Sequence, residues 1–327
     1  MLEDLLNSLT NEEEKKYPLQ QTIDIAIVGG GPGGLQAALI LGRTRKKIVV
    51  FDDPEPPRNA ASHGVHGFLG LDGLLPSDIR RIAWEQIDKY HSAELREERI
   101  VNIRKEDTGG EEGIFLLTND DNVTTIKAKK VILAVGFHDV YPDIPGFLEC
   151  WADTIIHCPF CDGYENKDRI WGIVVNSKKE LKRFPKIARN WTSKIKVIIP
   201  QNLTIEASYQ NELSRLDIPV YRGIITSVNH TDTKVQSVTL DSGNKIEVDT
   251  LWWIPSRRPS QLIHRLVQDL GLEVDEQEGN IKIDKKQQTN VKGIFAIGDV
   301  AGSMGALGAA HDGGKAATTI VYKWYRH

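Results

Sequence analysis

Short apolar runs alternate with amphipathic stretches along most of the chain. The run Thr22–Val28 ends in glycines, which is typical of a buried parallel strand, and residues 33–43 continue with helical spacing. Residues 47–51 form a second apolar run. The pattern therefore predicts one strand–helix–strand unit of about thirty residues, the usual start of an α/β fold.

The rest of the pattern falls into two regions. A helix is predicted from Pro76 to about Tyr90, and residues 100–133 alternate in the manner of antiparallel strands. Proline-rich PDIPG at residues 142–146 predicts a crossing between domains, and after Pro255 a helix, a buried strand and a terminal helix follow. The apolar stretches between the two crossings predict strands at 170–175, 195–199, 224–240 and 245–253. We therefore expect a discontinuous first domain, 20–138 with 255–327, and an inserted domain, 139–254.

The composition excludes some classes of function. Hydrophobic residues make up 40% of the chain and charged residues 26%, as in ordinary soluble proteins. A formal net charge of −4 gives no electrostatic argument for a nucleic-acid partner. No apolar run reaches about 18 residues, so no membrane span is predicted, and residues 1–20 are expected to be an amphipathic helix or a loose tail. The expectation is a cytoplasmic protein, with peripheral contact with a membrane left open.

A glycine fingerprint follows the first predicted strand. Residues 29–34 fit the pattern G-x-G-x-x-G with Gly29, Gly31 and Gly34, which allows a tight turn and the approach of a pyrophosphate to a helix start. Asp52 ends the second strand, where a carboxylate can accept hydrogen bonds from ribose hydroxyls. Because strand, turn, helix and carboxylate occur together, the sequence predicts dinucleotide binding.

Two of the chain's three cysteines, Cys158 and Cys161, form a C-x-x-C pair. At this spacing two thiols can close a small loop, and a helix start lowers a thiol pKa. A zinc site needs further ligands, and only Cys150 and His157 lie close in sequence. We expect a redox-active disulfide and no metal; a zinc site and inert structural thiols are the alternatives, and Cys150 is expected to be a buried structural thiol.

Downstream, GIFAIGDVAG at residues 293–302 resembles the flavin-binding element of flavoproteins with two dinucleotide-binding domains. Together with the fingerprint and C-x-x-C-D-G, it is similar to the low-molecular-weight thioredoxin reductase family over nearly the whole chain. The resemblance implies an α/β flavoprotein with a discontinuous FAD domain, an inserted NADPH-type domain and a homodimer. It implies that Cys161 faces the flavin, that Cys158 exchanges with the partner and that Asp162 handles protons; a helix-capping charge is the alternative for Asp162. The implied FAD-contacting residues are Gly29, Gly31, Gly34, Asp52, Arg58, Asn59, Gly298, Asp299 and Ala306.

The inserted region departs from that family. A second glycine fingerprint is expected after the strand that follows C-x-x-C-D-G, but residues 171–180 read WGIVVNSKKE, with no glycine after Gly172. Side-chain Cβ atoms then occupy the space that a pyrophosphate requires. The next strand ends in IIPQN at 198–202, where the family carries a basic cluster for a 2′-phosphate. The sequence therefore predicts that NADPH is not the direct reductant.

Family branches without NADPH include ferredoxin- or flavin-linked thioredoxin reductases, dithiol oxidases and a cyanobacterial diflavin-linked disulfide oxidoreductase. His157 resembles the histidine that the oxidases place before the first cysteine, as a base for a thiol; a solvent-facing or capping histidine is the alternative. The chain looks most like the diflavin branch, with Trp252 and Trp253 as candidates for stacking a second FAD. Strand-core packing is the alternative for both tryptophans. His138 and His311 are considered only as flavin neighbours.

These observations predict an enzyme that oxidises a dithiol at Cys158–Cys161 and passes the electrons to FAD. A second flavin or another acceptor, not identified by the sequence, then receives them. The substrate is a dithiol or disulfide, either protein or small molecule. Two alternatives stay open: a thioredoxin reductase fed by ferredoxin or reduced flavin, and a flavin-binding redox sensor.

Overall fold

The computed structural model describes residues 21–107 and 113–324, so the tail expected at residues 1–20 lies outside the described residues. The strands are β1 (Thr22–Val28), β2 (Ile48–Phe51), β3 (Ala93–Arg96), β4 (Ile100–Glu106), β5 (Ile114–Asn119), β6 (Thr124–Leu133), β7 (His138–Val140), β8 (Ile155–Ile156), β9 (Trp171–Val174), β10 (Ile195–Ile199), β11 (Val220–Arg222), β12 (Ile225–Thr231), β13 (Lys234–Leu240), β14 (Lys245–Glu247), β15 (Thr250–Trp252), β16 (Ser256–Arg258) and β17 (Ile294–Ala296). The helices are α1 (Pro32–Arg43), α2 (Pro76–Ile87), α3 (Phe147–Cys150), α4 (Pro159–Asp162), α5 (Lys178–Ala188), α6 (Ala207–Arg215), α7 (Gln261–Leu270), a 3₁₀ turn (Gly298–Ala301) and α8 (Gly305–Lys323).

The chain has a mixed α/β fold that divides into two compact units. Within the described ranges, unit 1 comprises residues 21–57, 80–138 and 259–324, and unit 2 comprises residues 58–79 and 139–258. The segment 58–79 therefore packs with the unit that contains the cysteine pair. No helix of the described ranges is long and apolar enough to cross a membrane.

Unit 1 is a sheet with helices on its surfaces. Its strand order is β3-β2-β1-β6-β5-β4, with β17 parallel to the end of β6. β1 pairs in parallel with both β2 and β6, and β5 pairs antiparallel with β4 and β6. Successive side chains of β1 point to opposite faces, so Ile25 and Ile27 lie in one apolar cluster and Ala26 and Val28 in the other. The predicted strand–helix–strand unit is confirmed.

Helices α1 and α8 touch through glycines. A Cβ atom on Gly313 would overlap the carbonyl oxygen of Gly33, and one on Gly33 would lie 3.0 Å from the carbonyl oxygen of Ala309. Two backbones approach this closely only where side chains are absent. The terminal helix therefore packs directly on the helix that follows the fingerprint.

Unit 2 contains a parallel sheet in the order β11-β10-β9-β15-β8 and an antiparallel sheet of β12, β13 and β14. Stretch 245–253, predicted as one strand, is divided into β14 and β15 because its two ends join different sheets. The helix predicted to reach Tyr90 ends at Ile87, because the chain turns there to enter β3 beside β2. The predicted stretch 224–240 forms two antiparallel strands, β12 and β13, and the strands predicted at 170–175 and 195–199 are confirmed with small shifts at their ends.

Candidate redox site and dinucleotide site

The fingerprint forms a tight turn between β1 and α1. Gly29 has a φ of 113°, and a Cβ atom there would overlap the carbonyl oxygen of Ala134. A Cβ atom on Gly34 would overlap the carbonyl oxygen of Gly29. Gly31, the N-cap of α1, differs from both, because nothing lies within 4 Å of its added Cβ position.

The start of α1 has the features of an anion site. No side chain caps its first N–H groups, and no acidic residue lies in its first turn. Unsatisfied N–H groups and the helix dipole favour a phosphate at such a position. The open space at Gly31 and the uncapped helix start therefore fit the pyrophosphate of FAD.

Asp52 is held by this turn. Its Oδ1 accepts a hydrogen bond from the Gly30 N–H at 2.9 Å, and its Oδ2 pairs with Arg80. A Cβ atom on Gly30 would lie 2.6 Å from the carboxylate. A carboxylate can accept about four hydrogen bonds, so Asp52 retains capacity for a ribose hydroxyl. Sequence reasoning missed Arg80, which lies 28 residues away on α2.

The downstream flavin element lies at the end of β17. Gly298, with a φ of 72°, begins the 3₁₀ turn that carries the half-buried Asp299, and Ala306 lies in the first turn of α8. A buried carboxylate on α8, Asp312, organises this turn. It accepts from the Gly298 N–H at 3.4 Å, from the Gln287 side chain at 2.7 Å and from the Ser303 hydroxyl. The sequence analysis did not identify Asp312.

The cysteine pair lies at α4, a single helical turn. Cys158 is the N-cap, and its carbonyl oxygen accepts from the N–H groups of Cys161 and Asp162, each at 3.1 Å. Both thiols are reduced and half-buried. A hydrogen bond from Cys161, together with the N–H groups of Cys161 and Phe160, lowers the pKa of Cys158 to about 7.

The second thiol has the opposite character. Its hydrogen bond to Cys158 and its burial raise the pKa of Cys161 well above the usual range for a thiol. One proton is thus held on Cys161 while Cys158 carries the thiolate. This asymmetry suits Cys158 for exchange and for leaving from a mixed disulfide, because the thiol of lower pKa leaves faster.

Asp162 follows the pair directly and is half-buried. Burial, with a smaller effect of Glu165, raises the pKa of Asp162 to about 6. Its neighbour Gly163 is required by packing, because a Cβ atom there would lie 2.9 Å from the Trp191 ring. A carboxyl that titrates near neutral pH beside a thiol pair can donate and accept protons during exchange.

His157 precedes the pair and is half-buried. Its ring is stacked on Trp151 with centroids 5.9 Å apart, and its carbonyl oxygen accepts from Trp252 Nε1 at 3.2 Å. The indole of Trp252 is 3% exposed, stacks on Phe184 and lies in the core of unit 2. This burial favours the strand-core alternative for Trp252, and its contact with a second flavin stays a prediction.

The other predicted residues differ in environment. Trp253 is half-buried with its ring edge-to-face with Phe147, and its proposed flavin contact stays a prediction. Arg58 donates from Nε to Asp139 Oδ2 at 2.7 Å, and its charge favours the thiolate form of Cys161.

Three further residues named from the sequence are exposed: Asn59, His138 and His311. Cys150 is fully buried, and this burial raises its thiol pKa to about 11.

The turn between β9 and α5 occupies the position of the second fingerprint. Ser177 is the N-cap of α5, and its hydroxyl accepts from the Glu180 N–H at 3.2 Å. Glu180 Oε2 in turn accepts from the Asn176 N–H at 2.8 Å. This arrangement is a variant of the capping box in which the carboxylate takes the N–H of the residue before the N-cap, so the chain's own hydroxyl and carboxylate occupy two N–H groups of this turn. The described residues contain no group of three or more His, Cys, Asp or Glu that could hold a metal.

Together, the thiol pair and the glycine turn on this α/β fold define a disulphide oxidoreductase of the flavoprotein type. The chain belongs to the pyridine nucleotide-disulphide oxidoreductase family, whose model matches residues 23–175 and 197–314. Thioredoxin reductase-like members of this family normally bind FAD. A redox role for the cysteine pair is consistent with this family, and the residue roles stay predictions.

Known relatives cover almost the whole chain. The thioredoxin reductase tcpT of Claviceps purpurea is 30% identical over 315 residues, which are 91% of this chain and 94% of the relative. The solved structure of TrxB from Bacillus anthracis is 31% identical with a TM-score of 0.82, covering 92% of this chain and 98% of that one. The crystal structure of HlmI is 28% identical with a TM-score of 0.83, covering 94% of each chain.

Proposed function

We propose that this protein is an FAD-dependent dithiol–disulfide oxidoreductase that works without NADPH. It takes electrons from a dithiol through Cys158 and Cys161 and passes them to FAD and then to a second flavin or another acceptor. The observation that carries the proposal is the unequal thiol pair, with a thiolate on Cys158 and a proton on Cys161, beside the neutral-range carboxyl of Asp162. We also propose that the protein is a cytoplasmic homodimer.

The thiol chemistry follows from the environment of each residue. A substrate thiolate attacks Cys158 Sγ, the Cys158–Cys161 bond breaks, and the Cys161 thiolate accepts a proton from Asp162. His157 takes the proton of the second substrate thiol, and the resulting thiolate breaks the mixed disulfide and releases Cys158 as a thiolate. The substrate has then lost two electrons and gained an S–S bond, and the cysteine pair has been reduced. FAD, when bound, supplies a two-electron acceptor for this pair.

Independence from NADPH is supported by the β9–α5 turn. The capping box of Ser177 and Glu180 places a carboxylate where a nucleotide phosphate would need free N–H groups. The family match omits residues 176–196, which include this turn. Both observations favour an electron route that does not begin at a nicotinamide.

The number of flavins is a separate part of the proposal. With Trp252 in the core, Trp253 is the more exposed aromatic candidate for a second flavin. The ratio of FAD to protein after gentle purification measures this directly. A ratio near two supports the diflavin arrangement, and a ratio near one restricts the route to a single FAD and an external acceptor.

The central experiment is an anaerobic titration of the purified protein with a dithiol or with NADPH, followed by flavin absorbance. We expect bleaching by dithiothreitol and none by NADPH. The variant C161S should abolish bleaching by the dithiol, because the pair can no longer form its disulfide. The matched control is C150A, which removes a buried thiol of high pKa and should bleach like the wild type. Rapid bleaching by NADPH would overturn the proposed electron route.

A thioredoxin reductase fed by ferredoxin or reduced flavin is the second candidate. It is favoured by the name of the relative tcpT and by two exposed aromatic residues beside the pair, Phe160 and Tyr164, which are 69% and 68% exposed. Formation of thioredoxin thiols under reduced ferredoxin, with no bleaching by small dithiols, would select this candidate over the dithiol oxidase.

A further inference from the structure

A glycine-rich loop, residues 62–74, lies in the same unit as the thiol pair. Two backbone hydrogen bonds join its ends. The Val65 N–H donates to the Leu74 carbonyl oxygen at 2.8 Å, and the Gly73 N–H donates to the Val65 carbonyl oxygen at 2.9 Å. Asp72 Oδ1 accepts from the Gly67 N–H at 2.8 Å and so closes the tip of the loop. The loop is therefore held in shape by its own backbone and by one carboxylate.

His66 is the titratable side chain that this loop directs toward the site. Its Nδ1 lies 3.8 Å from Asp72 Oδ1, and its Nε2 lies 3.6 Å from Glu165 Oε1, three residues beyond Asp162. The imidazole is partly covered, with 27% of its side chain exposed. Gly64 leaves room for the ring, because a Cβ atom there would lie 3.1 Å from His66 Nε2.

Three charged groups surround this histidine: Asp72 on its own loop, and Glu165 and Asp162 at the thiol pair. Glu165 and His66 affect the pKa of Asp162 with opposite signs. Burial and the charge of Glu165 raise the pKa of Asp162, whereas the charge of His66 lowers it. The protonation state of Asp162 therefore depends on this balance.

We propose that His66 is a positioning residue for dithiol exchange, which holds Glu165 and places a positive charge facing the carboxyl of Asp162. The proposal rests on the proposed function, because it concerns the same thiol pair. In the exchange step Asp162 gives a proton to the Cys161 thiolate and must recover one from solvent. The charge of His66 favours the ionised form of this carboxyl and the charge of Glu165 opposes it, so these two side chains, together with burial, set the pH at which Asp162 is protonated.

The test is an infrared pH titration of the full-length protein, following the carboxylic acid band that disappears in D162N. The band should titrate near pH 6 in the wild type. In H66Q the midpoint should rise by about half a pH unit, the size expected for a partly exposed charge pair. In E165Q it should fall, because the carboxylate that opposes ionisation is removed.

Two further variants separate charge from structure. H66K keeps a positive charge and should return the midpoint to the wild-type value or below it. H63Q removes an exposed histidine of the same loop and should leave the midpoint unchanged. Equal midpoints in H66Q and H63Q, or shifts of the same sign in H66Q and E165Q, would overturn the role of His66. The Glu165 side chain is 47% exposed, so the E165Q variant should fold. Its midpoint therefore tests the proposal even if H66Q does not fold.

The outcome for His66 can be distinguished from that for the whole function. Alkylation of the reduced protein by iodoacetamide reports the reactivity of Cys158 without a substrate. A reactive Cys158 with an unmoved Asp162 midpoint refutes only the inference about His66. An unreactive Cys158 across neutral pH refutes the proposed function itself.

Discussion

The glycine at position 34 is required by Gly29, because a Cβ atom on Gly34 would overlap the carbonyl oxygen of Gly29. Gly31 lies in the same turn but has no such constraint: nothing is within 4 Å of its Cβ position, and its φ of −76° is open to any residue. One glycine of the fingerprint therefore serves the fold, whereas the other leaves space for a ligand.

This difference predicts separate effects of two alanine substitutions. G31A should purify as a folded protein with little bound FAD, because its methyl group enters only the space of the pyrophosphate. G34A should lose stability, by about 2 kcal/mol or more, because the turn must distort. The flavin-to-protein absorbance ratio and the urea unfolding curve measure the two effects. A G31A protein that retains full flavin would contradict the assignment of this turn.

The thiol pair predicts a dependence on pH. In the wild type the rate of Cys158 alkylation should rise with a midpoint near pH 7, because the thiolate forms above its lowered pKa. In C161A the midpoint should move toward the ordinary value of 9.0, because the hydrogen bond that contributes most to the lowering is lost. Iodoacetamide kinetics followed by mass spectrometry measure both profiles.

The control for this experiment is C161S, which keeps a hydroxyl donor at the same position and should shift the midpoint less than C161A. If C161A and the wild type share one midpoint, the backbone N–H groups of the turn account for the reactivity instead.

Much of the fold could be predicted because its signals are local. The run before Gly29 and the alternation along residues 100–133 each reflect the period of a single element. The C-x-x-C pair likewise needed only a four-residue spacing. The capping box of Ser177 and Glu180 was also local, and its S-x-x-E spacing is visible in the sequence.

Other parts of the site depend on long-range packing. The carboxylate of Asp312 acts on a turn that begins 14 residues earlier, and His66 meets Glu165 across 99 positions of the chain (165 − 66). Trp252 was considered for flavin stacking because an exposed and a buried tryptophan look alike in a short strand. Its place beside Phe184 was decided by the packing of α5 on the sheet.

The capping box makes a prediction about stability. S177A should lower the free energy of unfolding by about 1 kcal/mol, because the Glu180 N–H loses its acceptor at the start of α5. S214A is the matched control, since Ser214 is an exposed residue inside α6 and alanine is favourable there. Urea unfolding compares the two variants. Equal stabilities would indicate that the cap contributes nothing.

The paired tryptophans give the last prediction. W252A should lower the free energy of unfolding by about 3–5 kcal/mol, because it removes a buried indole stacked on Phe184. W253A should cost less, since its ring is only half-buried. If the wild type carries two flavins, W253A should lower the FAD-to-protein ratio toward one. The conservative variant W253F keeps an aromatic face and should hold the ratio near that of the wild type. A ratio of two in W253A would exclude Trp253 from the second flavin site.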